Sequence, residues 1–160
     1  MASVIKCDTL KSTTGNTAIT IDESGMVKRS NIPAFWVYGG SDAVSTNPVI
    51  WTEVGLNQGN CYDVTTGKFT APITGLYAIH FRILGAQNAA VQCRLYKNGS
   101  EVVGLTGYSR APASSSCFDS FSVAAPVLLS AEDYVQVYVT SGTVFNQPAY
   151  NSGFSGWLIG

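Results

Sequence analysis

Gly75-Leu76-Tyr77-Ala78-Ile79-His80-Phe81-Arg82-Ile83 sets a large apolar side chain at every second position from Tyr77 onward. A period of two puts Tyr77, Ile79, Phe81 and Ile83 on one side of a strand and His80 and Arg82 on the other. Just upstream, Asp63-Val64-Thr65-Thr66-Gly67-Lys68-Phe69 reads as a strand end, a polar turn and a new strand, and Pro72 and Gly75 punctuate the approach. The stretch from Trp51 to Phe81 thus predicts short strands and tight turns built around one buried face.

Working outward, residues 33 to 160 read as strands and turns with no helix. Ala34–Tyr38, Val49–Val54, Ala89–Tyr96, Glu101–Thr106, Phe118–Leu129 and Tyr134–Thr140 are the candidate strands, and Asn98-Gly99 is the strongest hairpin signal in the chain. The strands are of two kinds. In 134–140, Val135, Val137 and Val139 face one way and Gln136, Tyr138 and Thr140 the other, and 91–96 is similarly one-sided. By contrast, 35–38 and 154–159 carry large apolar groups on both faces: Phe35 and Val37 against Trp36 and Tyr38, Phe154 and Leu158 against Trp157 and Ile159. A strand apolar on both faces needs cover on both. A sandwich of two sheets covers one, so these strands call for a second cover from another chain.

Composition points the same way. The chain has 160 residues, enough for one domain with a short arm, and a chain of this size buries about 70% of its extended surface without staples. Hydrophobic residues make up 46% and charged residues only 12%, with a formal net charge of −1. No basic surface suits nucleic acid, and no segment suits a bilayer: the longest apolar run, Val123–Leu129, contains Pro126. Met1–Asp8 lacks the apolar segment of a signal peptide, so cytoplasmic synthesis and free thiols are expected of Cys7, Cys61, Cys93 and Cys117.

Residues 1–32 form a separate, polar arm. Thr17–Ile21 alternates as a strand, Asp22–Gly25 turns, and Met26–Lys28 returns. A lone hairpin is marginal in water. The arm, through Ile19, Ile21 and Val27, is therefore expected to order against sister chains or a larger assembly, by adding strands.

The residues of the opening stretch also carry a family resemblance. Trp51, Asn57, Tyr62, Phe69 and Gly75-x-Tyr77-x-Ile79-x-Phe81 resemble the motif of the complement-one-q globular head, a relative of the tumour necrosis factor (TNF) jelly roll. Every interval of the motif is kept, with Trp51 and Ile79 standing where phenylalanine is usual. Phe154-Ser155-Gly156-Trp157-Leu158-Ile159 is similar to the family's last strand. The likeness spans roughly residues 33 to 160. It implies an all-β jelly-roll sandwich of two antiparallel sheets, assembled as a homotrimer with the first and last strands toward the threefold axis. The trimer contacts so implied are Phe35, Trp36, Tyr38, His80, Arg82, Trp157 and Ile159. The arm's wording, Thr14-Gly15-Asn16-Thr17-Ala18-Ile19-Thr20-Ile21-Asp22-Glu23-Ser24-Gly25-Met26-Val27, resembles arms that begin tailed-phage structural proteins.

Candidate chemistry is sparse. His80 is the single histidine, beside Arg82, and reads as an interface residue before a pH sensor or a catalyst. The ten acidic residues are scattered. Some members of the resembled family bind calcium, but no carboxylate cluster supports that here, and Gly153-Phe154-Ser155-Gly156 is not a nucleophile elbow. No catalytic residue, cofactor or metal is expected. Recognition falls to loops 41–48, 109–116 and 146–153, with Tyr108, Arg110, Gln147 and Tyr150 as candidate contacts. Two functions fit: a non-enzymatic trimeric protein on a phage virion surface, as capsid decoration (cement) or a fibre knob for host attachment, or a soluble TNF-like or complement-like module that binds a receptor or glycan.

Overall fold

The computed structural model describes residues 7–29, 31–40, 43–110, 118–146 and 152–160. Every regular element among them is a strand, and the strands pair antiparallel. The chain divides into two compact units, Met1–Ile32 and Pro33–Gly160.

In the first unit, β1 (Thr9–Lys11), β2 (Thr17–Ile21) and β3 (Val27–Arg29) form a three-stranded sheet in that order. The Asp22 carboxylate accepts bonds from Ser24 N–H, Ser24 Oγ and Met26 N–H, and these fix the β2–β3 turn. β1 adds to the hairpin read from sequence. Thr9-Leu10-Lys11 is too short for alternation to mark it.

The second unit is a jelly-roll sandwich. One sheet has the order β11-β10-β13-β8-β7, comprising Ser100–Arg110, Ala90–Lys97, Tyr134–Ser141, Lys68–Thr70 and Tyr62–Asp63. The other has the order β12-β9-β15-β4-β6, comprising Ser120–Leu129, Gly75–Leu84, Gly153–Leu158, Ala34–Tyr38 and Glu53–Gln58. We call them the outer and inner sheets. A two-stranded patch of β5 (Ala43–Val44) and β14 (Val144–Phe145) completes the elements.

The motif residues build the core between these sheets. Trp51, Tyr62, Phe69, Tyr77, Ile79 and Phe81 are all buried. Asn57 explains its fixed spacing: its Oδ1 accepts from Cys61 N–H at 2.9 Å and Tyr62 N–H at 3.0 Å, while its Nδ2 donates to Tyr62 O at 2.9 Å. One amide side chain so closes the β6–β7 turn. The Tyr62 hydroxyl lies 3.3 Å from both Trp51 N and Trp51 O, and burial pushes its pKa up to about 12. Gly75 starts β9 where the C-terminal tail crosses; a Cβ there would stand 2.9 Å from Gly160 O. Asn98 and Gly99 take φ of 50° and 79°, the left-handed pair that a two-residue hairpin requires.

Two strands differ from those read in the sequence by more than a residue or two. Residues 49–52 are not strand: Val49 N–H bonds Val137 O and Thr52 N–H bonds Gly39 O, single ties rather than a ladder, and pairing with β4 begins at Glu53. β11 runs on to Arg110, carried past a register shift in which Arg94 faces Thr106 while Tyr96 faces Glu101. Cys7, Cys61 and Cys93 are free; Cys93 is buried in the core, which pushes its thiol up to about 12. Cys117 lies outside the described residues.

Candidate functional site: the outward face of the inner sheet

Strand alternation sends one face of the inner sheet into the core and the other out of the sandwich. Cross-strand pairing lines up the outward residues in rows. Ala124, His80, Ser155, Trp36 and Leu56 make one; Pro126, Ala78, Trp157 and Ala34 make the next. Leu128 faces Leu76, and Ile159 N–H bonds Leu76 O at 2.8 Å beside them. On the other side of the His80 row come Ser122, Arg82, Gly153, Tyr38 and Glu53.

Most of this surface is apolar and uncovered. Trp36 is 53% exposed, Trp157 49%, Ile159 51% and Leu128 68%. Trp36 lies against Tyr38, ring centroids 5.2 Å apart. It also lies across a bulge in β6, where the register shifts between Trp36↔Leu56 and Val37↔Val54. A Cβ on Gly55 would stand 2.3 Å from that indole, so glycine is what lets the ring lie flat. Polar contacts are few: Ser155 Oγ approaches His80 Nδ1 at 3.5 Å. Burial, then the neighbouring Arg82 charge, holds the His80 imidazole below its ordinary value, so it is neutral near pH 7.

The outward face of the outer sheet is its opposite. Arg94 Nη1 meets Glu101 Oε2 at 2.6 Å, Gln92 Oε1 accepts from Thr140 Oγ1 at 2.9 Å, and Gln136 Nε2 donates to Thr66 O at 2.8 Å. The Tyr96 and Tyr138 rings stack at 4.2 Å, and Lys68 Nζ sits 4.1 Å over the Tyr134 ring. Polar side chains of this face largely bond one another, while Val103 and Tyr108 of β11 stay exposed.

Of the contacts implied for assembly, Trp36, Tyr38, His80, Arg82, Trp157 and Ile159 share the uncovered face. Phe35 does not. It is 2% exposed, and its ring stacks on Phe69 at 4.6 Å and meets Phe154 edge-on at 4.7 Å. Its place is the core, on the opposite side of β4 from Trp36. Leu56, Leu76 and Leu128 belong to the face and were missed. The parity that pairs Leu76 with His80 would have found one of them; Leu128 and Leu56 follow only from register.

The recognition residues also move. Tyr108 is on β11 opposite Gln92, not in a loop, and is 54% exposed. Arg110 ends the same strand, its N–H bonded to Asp119 Oδ2 at 3.0 Å. Gln147 and Tyr150 lie outside the described residues. Among the described residues, no three His, Cys, Asp or Glu side chains gather as metal ligands, and no helix is long and apolar enough to cross a membrane.

The comparisons with known proteins agree with this architecture. Among solved structures, the globular domain of zebrafish complement 1qA superposes with a TM-score of 0.64 at 20% identity, covering 80% of this chain and 98% of that one. The Eiger TNF of S. frugiperda gives a TM-score of 0.66 at 16% identity, covering 81% and 94%. At these identities the likeness is one of fold. Human complement C1q tumor necrosis factor-related protein 3 is 30% identical over 112 residues, 69% of this chain and 44% of its own length. The rat C1q tumor necrosis factor-related protein 5 is 34% identical over 121 residues, 70% of this chain and 46% of its own length. The chain thus spans about half the length of these relatives. The arm's phage-like wording gains no support from these proteins. The C1q domain family model matches residues 34–159, four-fifths of the chain, and the chain belongs to the C1q domain family.

Proposed function

We propose that this chain is a non-enzymatic, homotrimeric C1q-type binding head that recognises a receptor or a glycan. The observation that carries the reading is the uncovered apolar face around Trp36, Trp157, Leu128 and Ile159 on the inner sheet, set against a largely self-bonded polar face on the outer sheet. Monomeric proteins rarely leave such a patch open. Three copies packed through it would leave the outer sheets, with Tyr108 and the β11 end at Arg110, on the outside. Fold alone does not confer function. Recognition here rests on family membership and on the aromatic and polar mix of that exterior, which suits adaptable contacts.

The test is a binding screen of the full chain on a glycan array and a panel of membrane-receptor ectodomains, run beside Trp36→Asp. The expected result is binding by the assembled chain that falls at least tenfold in the dissociated variant, because three weak sites act together. No binding on either array, or equal binding by both proteins, contradicts the reading.

A further inference from the structure

The chain holds one Asn-Gly pair, Asn98-Gly99, at the exposed tip of the β10–β11 hairpin. Glycine offers the backbone nitrogen that follows the asparagine without a side chain to hinder it. That nitrogen can attack the asparagine Cγ, closing a succinimide ring and expelling ammonia. Water then opens the ring at one carbonyl to give aspartate, or at the other to give isoaspartate. One water is consumed and one ammonia released, with nothing oxidised or reduced. The residue types at the tip therefore carry a chemistry of their own, and the fold decides how freely it runs.

The Asn98 amide is held at both ends. Its Oδ1 accepts from Tyr134 N–H at 2.9 Å, and its Nδ2 donates to Asp133 Oδ1 at 2.6 Å. The backbone adds a third tie, from Asn98 N–H to Tyr134 O at 3.0 Å. Asp133 is the hub, because its Oδ2 also takes Lys97 Nζ at 2.8 Å and Ser130 N–H at 2.7 Å. These bonds, from Lys97 first and then from Asn98 and Ser130, hold its carboxyl near 2, so it is an ionised acceptor at neutral pH. One amide and one carboxylate thus clasp the hairpin to the turn before β13. To be attacked, the Asn98 carboxamide has to leave both partners, so the reaction runs through the small population of open turns. Its product cannot restore the clasp. An aspartate at 98 keeps an acceptor for Tyr134 N–H but has no hydrogen for Asp133, and it sets a second carboxylate beside the first. An isoaspartate also adds a carbon to the hairpin backbone.

We propose that Asn98 is a site of spontaneous deamidation that the folded chain holds off through Asp133, and that its conversion releases the hairpin from the β12–β13 turn. To test it, the full chain is incubated at neutral pH, folded and in parallel in guanidinium, and the peptide containing Asn98 is followed by mass and isoaspartate content. Conversion is expected to be at least about tenfold slower in the folded chain than in the denatured one, and at least about fivefold faster in folded Asp133→Ala than in the folded unaltered chain. Asn98→Asp, which stands for the product, is expected to lower the denaturation midpoint and to speed hydrogen exchange over residues 97–101 and 130–134. Equal rates in the folded and denatured chain, no conversion in the denatured chain, or an unaltered rate in folded Asp133→Ala overturns the protected site. Should Asp133→Ala not fold, the ratio of folded to denatured rates in the unaltered chain decides. Asn98→Asp with the midpoint and exchange of the unaltered chain overturns the release.

Discussion

The two sheets of the sandwich share one core and differ in what they show to the outside. The outer sheet ends in bonded polar groups: Arg94 on Glu101, Gln92 with Thr140, Tyr96 stacked on Tyr138. The inner sheet ends in indoles and leucines with, among the described residues, one weak polar contact between Ser155 and His80. Both faces derive from alternation, interrupted only at the β6 bulge and the register shifts of β10, so the difference lies mainly in which residues fill the outward positions. On the trimer reading, a strand with apolar residues on both faces reports two burial events, one in folding and one in assembly.

That distinction is sharpest inside β4, where neighbouring aromatics serve different events. Phe35→Ala empties a core site between Phe69 and Phe154 and is expected to cost about 3–5 kcal/mol of folding stability, read as a fall in the denaturation midpoint. Trp36→Ala, one residue on, is expected to leave the isolated fold nearly unchanged. It should instead weaken assembly by about 2 kcal/mol or more, roughly thirtyfold, measured by dilution. If Trp36→Ala lowers folding stability as much as Phe35→Ala does, the two-event account is broken.

A smaller effect is expected on the other sheet. Tyr138→Ala removes a ring stack worth about 0.5–1.5 kcal/mol and should leave the native mass unaltered. Gly55→Ala sharpens the comparison at the inner face, because the new Cβ must lift the Trp36 indole. Assembly should weaken while the fold persists, and unchanged dissociation on dilution would show that the ring need not lie flat.

The pH response comes last. Folding holds the His80 imidazole below its ordinary 6.5, by burial first and then by the Arg82 charge. Protons are then taken up first by the unfolded form, so folding stability is intact above about pH 6.5 and is lost as pH falls below it. Ala124 and Ser155 flank His80 across the sheet, so no carboxylate stands beside it to reverse the sign. Folding stability, read as the denaturation midpoint, is expected to fall between pH 7 and pH 5, and His80→Gln should flatten that slope. An identical slope in the variant assigns that response to another group, and not to Asp63, held near 2 by hydrogen bonds from Thr65 and Thr66, or Asp133, held near 2 first by Lys97 and then by Asn98 and Ser130, whose contributions are lost only below the ordinary 3.8.

Much of this was legible in the sequence because it rests on short-range rules. The alternation of Tyr77, Ile79, Phe81 and Ile83 set β9, Asn98-Gly99 set the β10–β11 turn, and the fixed interval from Asn57 to Tyr62 is the reach of one amide side chain across one turn. Phe35 was assigned to the wrong event because the resemblance marks a strand, whereas parity marks a side chain. Leu56 and Leu128 join the face through pairing with Trp36 and Leu76, and register across strands is a long-range property. Val49–Trp51 has strand-like composition but no partner ladder. Thr9–Lys11 has a partner but no pattern. Tyr108 lies in a strand because β11 resumes pairing after its bulge, which nothing local announces.

The central claim is that the Trp36–Trp157 face is an assembly surface. Sedimentation equilibrium of the full chain at micromolar concentration, beside Trp36→Asp, tests it most directly. The account predicts three times the 16.9 kDa chain mass for the unaltered protein and a single chain mass for the folded variant. A well-behaved monomer of the unaltered protein at that concentration would contradict it.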